Sequence, residues 1–183
     1  MKMSLDDLNT TEQIIDRCKK GDVQAQYLLY KKYSKAMYNI AIRFLNNKMD
    51  AEDILQESFI TAFEKLGELS KNNLFGSWVK RIIINNCITH IRKNKIEFED
   101  LENYESLKAD PEADFNLEPS LIHNAIKELP AGGRTILILH ALEGYKHREI
   151  AKMLDVSEST CKTQYKRALD ILYKHLKDKI YVS

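Results

Sequence analysis

The stretch His147 to Leu172, HREIAKMLDVSESTCKTQYKRALDIL, constrains the fold more than any other part of the chain. It reads as two helices joined by a very short turn, a helix-turn-helix. Ile150, Ala151 and Leu154 fall at helical spacing in the first helix. Ala151 is small where a second helix must approach closely. Asp155 and Val156 make the turn, and Asp tolerates the left-handed backbone that such turns often need. Ser157 is a good N-cap, and Glu158 puts a negative charge in the first turn, where the helix dipole favours it. In the second helix Cys161, Tyr165, Ala168, Leu169 and Leu172 form an apolar stripe. The opposite face carries Ser159, Thr160, Lys162, Thr163, Lys166 and Arg167. Short hydrogen-bonding groups and cations are the side chains that contact base edges and phosphates in a major groove. An ordinary helical hairpin with a solvated basic face has the same pattern, so the rest of the chain must decide.

Gly and Pro are scarce, 6 and 3 in 183 residues, which favours an all-α fold over turn-rich β structure. The net charge of +1 argues against nucleic acid only as an average. Residues 1–95 hold 16 basic and 11 acidic side chains, residues 96–120 hold 1 and 9, and residues 121–183 hold 11 and 7. Two basic domains are thus joined by an acidic segment that masks them. That segment contains Pro111 and Pro119, shows no apolar periodicity and reads as a self-repelling linker. The expected domains are 1–95 and 121–183. No apolar run approaches the ~20 residues of a membrane span, and the polar start MKMSLDDLNTTEQ does not read as a signal peptide. Cys18, Cys87 and Cys161 are far apart, fit no metal spacing and read as buried thiols in a reducing cytosol.

Along the chain, Thr10 or Thr11 is expected to cap a short helix that Gly21 closes, and Asp22 to cap a long one ending near Asn47. Its inward face is Leu29, Tyr33, Ala36, Met37, Ile40, Ala41 and Phe44. The next helix runs from Ala51 to Leu66, with Ala51, Ile54, Leu55, Ser58, Phe59 and Ala62 inward. Asp53, Gln56 and Glu57 share its other face with Ile60, an apolar residue that points to a protein partner. A polar loop, Gly67 to Leu74, leads into FGSWVKRIIINNCITHIRKNK. There Phe75 and the only Trp, Trp78, lie near a stripe of Arg81, Asn85, Thr89 and Arg92, extended by Lys93 and Lys95. Rings beside cations and amides suit unpaired bases, although both rings also suit a core. After the linker, Leu121, Ile122, Ala125, Ile126 and Leu129 make a helix, Ala131-Gly132-Gly133 a turn and Thr135 to Leu142 an apolar helix ended by Gly144. Lys177 to Ser183 reads as a tail. No phosphate loop, HExxH, G-x-S-x-G or clustered His suggests an enzyme, a metal or a cofactor.

Three segments, in order, resemble the extracytoplasmic-function (ECF) sigma factors of the bacterial sigma-70 family. DAEDILQESFITAF resembles their polymerase-binding segment, with Asp53, Gln56 and Glu57 in its D-x-x-Q-E pattern. Phe75 to Arg92 resembles the F-x-x-W…R-I…N…R helix beside the promoter −10 element. Glu128 to Leu172 resembles the domain that reads −35, through Leu129, Pro130, Arg134, Leu139, Gly144, Glu149, Ile150, Ala151, Ser157, Thr160, Lys162, Arg167, Ala168 and Leu172. The resemblance implies two helical domains, of the region 2 and region 4 types, in a cytoplasmic protein, monomeric when free. It implies that Asp53, Gln56, Glu57 and Ile60 meet the clamp coiled coil of the largest subunit of core RNA polymerase. It implies that Lys71, Asn72 and Asn73 capture a flipped −10 base, with Phe75, Trp78, Arg81, Asn85, Thr89 and Arg92 supporting the melted strand. Arg148 and the helix face of Glu158, Ser159, Thr160, Lys162, Thr163, Lys166 and Arg167 are then expected on −35 promoter DNA. An anti-sigma factor is a common partner in the group. Gln164 stands where many members have Arg, Cys161 where Val is usual and Thr89 where Asp is common; the first implies altered phosphate contact or base preference. A stand-alone helix-turn-helix regulator explains residues 121–183 equally well but neither DAEDILQE nor the Trp-bearing helix. A protein-only adaptor, its basic faces on acidic partners, is the third reading.

Overall fold

Chain breaks of three chemical kinds divide the sequence into helices. Thr10 caps α1 (Thr11–Lys19) by accepting from the Gln13 backbone, while the Gln13 side chain accepts from Thr10 N at 2.9 Å. Gly21 takes a left-handed φ of 83° that L side chains rarely adopt, and it ends that segment. Asp22 then does two jobs. Its Oδ1 accepts from Gln24 N and Ala25 N to cap α2 (Val23–Leu45), and its Oδ2 accepts from Arg17 at 2.8 Å. The backbone N–H of Ala25 and the Arg17 guanidinium hold the Asp22 carboxyl below its usual range. Asn46 is left-handed at φ 53°, and Asn47 caps α3 (Lys48–Glu64), so α3 begins three residues before the expected Ala51.

The computed structural model describes residues 10–94 and 119–181, so the acidic segment expected at 96–120 lies, up to residue 118, outside the described residues. Among the described residues all regular structure is helical. The chain divides into two compact units, 1–90 and 91–183. Among the described residues no helix is long and apolar enough to cross a membrane.

In the first unit α2 and α3 pack side by side, α1 lies against α2, and α4 (Phe75–Lys93) buries Phe75, Val79, Ile83, Ile84, Cys87 and Ile88 in the core. The expected inward face of α3 is buried in full. On α2, Ala36 is exposed instead, because Ala25, Leu29, Met37, Ile40, Ala41 and Phe44 already fill the stripe. Gly76 lets α4 approach Tyr33: a Cβ there would sit 3.1 Å from that ring. Asn86 donates to the buried Ser58 hydroxyl at 2.8 Å, tying α4 to α3.

In the second unit α5 (Pro119–Lys127) and α6 (Ala131–Leu137) pack on α8 (Glu158–Tyr181), with α7 (His147–Leu154) across it. Four expectations change here. Ala131-Gly132-Gly133 is the first turn of α6 and not a connecting turn, because Pro130 can start a helix and Gly133 fits against α8. A Cβ on Gly133 would lie 3.3 Å from the Ala168 Cβ. The apolar helix expected at Thr135 to Leu142 is the end of α6 continued by a π-helical turn, Ile138–Leu142, before Gly144 at φ 79°. Ile122 and Leu169 stay exposed, at 36% and 40%, since Ala125, Ile126 and Ala168 take the buried positions beside them. The expected tail continues α8 as far as Tyr181. Arg134 is buried, and its Nη1 donates to the carbonyls of Lys127 and Leu129 at 3.1 and 3.0 Å, which secures the end of α5.

Gly133→Val is expected to destabilise the second unit by about 1–3 kcal/mol through overpacking. Urea unfolding should lower the midpoint of part of the helical circular dichroism. Fluorescence of Trp78, the only Trp and a residue of the first unit, should keep its midpoint.

Candidate nucleic-acid and polymerase interface

The turn between α7 and α8 forms as its chemistry requires. Asp155 is left-handed at φ 58° and ψ 48°. The Ser157 hydroxyl accepts from Thr160 N at 2.9 Å and caps α8. It also lies 2.7 Å from the hydroxyls of both Ser159 and Thr160, so three short polar side chains close on one another. Of the α8 residues expected on −35 DNA, Glu158, Ser159, Lys162 and Lys166 are exposed, with Thr160, Thr163 and Arg167 half-buried at the edges. Arg148, at the start of α7, is exposed as well. Lys162 donates to Glu158 at 2.7 Å, and that bond holds the Glu158 carboxyl below its usual range.

Gln164 is a correction. It is only 5% exposed, on the side of α8 that meets α6, one position off the face that could meet DNA. Its replacement of Arg therefore belongs to packing, and the expectation of altered phosphate contact does not hold in this structure.

A cluster that sequence reasoning missed joins the start of α7 to α8 and to the turn after α6. The His140 and His147 rings stack at 4.1 Å, and Tyr165 of α8 meets them edge-on at 4.7 and 5.3 Å. His140 Nδ1 is 2.7 Å from the Tyr145 carbonyl. Burial first, then the charges of His140 and Lys162, push the His147 imidazole below its ordinary value of 6.5. The two His lie seven positions apart across a glycine-ended turn, a spacing with no periodic signature.

In the first unit Trp78, Arg81 and Asn85 of α4 line a cleft of about 370 Å³. Its other walls are Thr61, Lys65, Glu68, Ile82 and Asn86. Lys65 and Glu68 escape the sequence reading because Lys65 caps the end of α3 and Glu68 ends the 3-10 turn that follows, where side-chain direction cannot be read from a period. Thr89 and Arg92 continue the exposed face of α4, with the Thr89 hydroxyl donating back to the Asn85 carbonyl at 2.9 Å. Phe75 is the second correction. It is fully buried against Tyr33 and Trp78, with ring centroids 5.2 and 6.1 Å away. It supports Trp78 from beneath and offers no face to a base. In the preceding loop Lys71 and Asn73 are exposed, while the Asn72 amide is hydrogen-bonded to α1.

Asp53, Gln56, Glu57 and Ile60 are all exposed on one face of α3, Ile60 at 59%. Gln56 also borders an open groove between α2 and α3 with Tyr30, Ser34, Lys35, Tyr38, Glu52 and Leu55. The α2 side of that groove was not anticipated.

Comparison with known proteins matches residues 29–96 to sigma-70 region 2 and residues 120–172 to sigma-70 region 4. The ECF RNA polymerase sigma factor SigW of Bacillus subtilis is 34% identical over 178 residues, covering 90% of this chain and 95% of that protein. The chain belongs to the ECF sigma factors of the sigma-70 family. As such it is a promoter-recognising sigma factor of RNA polymerase. The RNA polymerase sigma-H factor of Pseudomonas aeruginosa is 28% identical over 179 residues, covering 90% of this chain and 93% of that one. The fold is also that of CnrH in complex with the cytosolic domain of CnrY, at a TM-score of 0.51 and 18% identity over 93% of this chain and 99% of that one.

A His whose folded pKa is lowered binds its proton more readily when unfolded. Its contribution to stability is therefore complete above its ordinary value and is lost as pH falls towards the folded value. The second unit of this sigma factor is expected to lose stability below about pH 6.5. His147→Gln should make that fall shallower in urea titrations followed by circular dichroism at a series of pH values.

Proposed function

We propose that the two units divide promoter recognition between them, and that the face of α3 fastens the first unit to core RNA polymerase. The observation that carries this reading is the pairing, within one unit, of an exposed acidic stripe on α3 with a cleft of Trp, cation and amide groups on α4. A regulator that only reads duplex DNA needs neither.

In this reading Asp53, Gln56 and Glu57 pair with cations and amides on the clamp coiled coil of the largest subunit, with Ile60 covered in the contact. Rim charges of this kind act mainly on encounter and register. The cleft of Trp78, Arg81 and Asn85 receives a base unstacked from the −10 element, with the exposed Lys71 and Asn73 of the preceding loop contacting the same strand and Thr89 and Arg92 along it. Stacking and phosphate contact replace the lost base stacking, so melting needs no ATP. Arg148 and the exposed residues of α8 lie on the −35 duplex, reading it by base edges and by shape. Polymerase carries out the chemistry, and this chain supplies address and melting without being an enzyme itself. It works in the cytoplasm beside polymerase, as a monomer until it meets core. An anti-sigma factor is a further expected partner: a solved relative of similar fold, the sigma factor RpoE of Bartonella quintana, is in complex with the anti-sigma factor NepR, at a TM-score of 0.50 and 22% identity over 85% of this chain and 98% of that one.

Run-off transcription with bacterial core polymerase on genomic templates tests the whole reading. Discrete starts that require this protein are expected. Duplex binding without any association with core would overturn it. Within it, Asp53→Ala combined with Glu57→Ala should weaken core binding about tenfold and leave duplex binding unchanged. Lys166→Ala should cost −35 duplex binding about 1 kcal/mol and reduce its salt slope by about 1.

A further inference from the structure

The first helix among the described residues, α1, lies outside the stretch matched to sigma-70 region 2, which begins at residue 29. It nevertheless holds the loop that enters α4. The Asn72 side chain donates through Nδ2 to Asp16 Oδ1 at 2.7 Å and to the Glu12 carbonyl at 3.4 Å. Its Oδ1 accepts from Lys19 Nζ at 3.0 Å, and the same ammonium donates to the Leu69 carbonyl at 3.4 Å. A carboxylate only accepts and an ammonium only donates, so one orientation of the amide satisfies both, and its polar groups are engaged. Glu12, Asp16 and Lys19 form one stripe on α1, while Ile14, Ile15 and Cys18 bury the other side in the core. The Thr10–Gln13 capping box and the Arg17–Asp22 pair fix both ends of α1. The loop thus rests on a helix that is itself held rigidly.

We infer that Asp16 and Lys19 are positioning residues for −10 recognition, and that Asn72 acts as their peg and not as a reader of bases. This rests on the reading that the loop and the α4 cleft meet the melted strand. Lys71 and Asn73, exposed on either side of the peg, point where α1 sets them. Supporting groups of this kind matter because a contact misplaced by about 1 Å loses much of its value.

The test uses holoenzyme assembled from the full chain and bacterial core polymerase. The probe is short single-stranded DNA of random sequence, selected for binding and then sequenced. Asp16→Ala and Lys19→Met are each expected to lower affinity for the selected strand about fivefold and to flatten its base preference. Asp16→Asn keeps an acceptor oxygen for Asn72 and should restore both. Core binding and −35 duplex binding should not move in any of these variants, which separates positioning from misfolding. The decisive comparison is Asn72→Ala alone and with Asp16→Ala. If Asn72 acts through α1, the double variant loses no more than the larger single one. Losses that add, or an Asp16→Ala holoenzyme with unchanged preference, overturn the inference and return Asn72 to the DNA. Wild-type holoenzyme that selects no strand at all overturns the melting reading, and this inference with it.

Discussion

The close seat of α6 on α8, Gly133 against Ala168, decides which way the reading helix faces. A helix has one circumference to share between the core that holds it and the ligand it meets. With no Cβ on Gly133, α6 comes near enough to bury Cys161, Gln164 and Ala168. That leaves Glu158, Ser159, Lys162 and Lys166 on the outside. The buried Arg134 supports the same arrangement by satisfying the carbonyl of Lys127, the last residue of α5, and that of Leu129 just beyond it. A cation this deep, its pKa lowered by burial, is tolerated because both carbonyls are oriented at it. The His140 and His147 rings, stacked at 4.1 Å, join the start of α7, next to Arg148, to the turn that follows α6.

The first unit applies the same division to two helices. On α3 the buried and exposed faces separate cleanly, as its sequence period requires. On α4 the ring nearest the loop, Phe75, is consumed by the core, and the next, Trp78, is left half-buried to line the cleft. Both aromatics occur in one helical turn, and only their angular offset separates a foundation from a contact surface.

That offset explains what was legible from sequence and what was not. Period and caps place α1 and α2, because Thr10, Gly21 and Asp22 act through local chemistry, whereas α3 begins earlier than its period suggests because Asn47 caps it. The exposed stripe of α3 follows from the same periodicity. The Ala-Gly-Gly segment misleads because two glycines signal a turn locally, whereas here one of them answers to a helix some 30 positions later. Gln164 misleads because the Arg common at that position in the family implies a phosphate contact, whereas here the side chain is buried and a buried polar side chain needs only a partner close by. The hydrogen bonds of Asn72 escape a local reading for the complementary reason. Its partners on α1 lie 53 to 60 positions away, and no local pattern reveals them.

In the free protein several groups placed on the nucleic-acid faces are already paired with one another. Lys162 holds Glu158, and the hydroxyls of Ser157, Ser159 and Thr160 share hydrogen bonds. These pairs do not block binding, because an exposed ion pair is worth only about 0–1 kcal/mol. A phosphate that takes Lys162 from Glu158 also releases condensed counterions, which more than offsets that loss at moderate salt. What the pairing does supply is order. A lysine held by a carboxylate one turn away gives up less side-chain entropy on docking than one free in water. It also limits indiscriminate attraction to duplex DNA, since Glu158 repels any phosphate that does not reach the lysine. A chain whose net charge is only +1 thus carries cations on exposed helix faces beside acids that temper them, so what those faces hold depends on geometry as well as on charge.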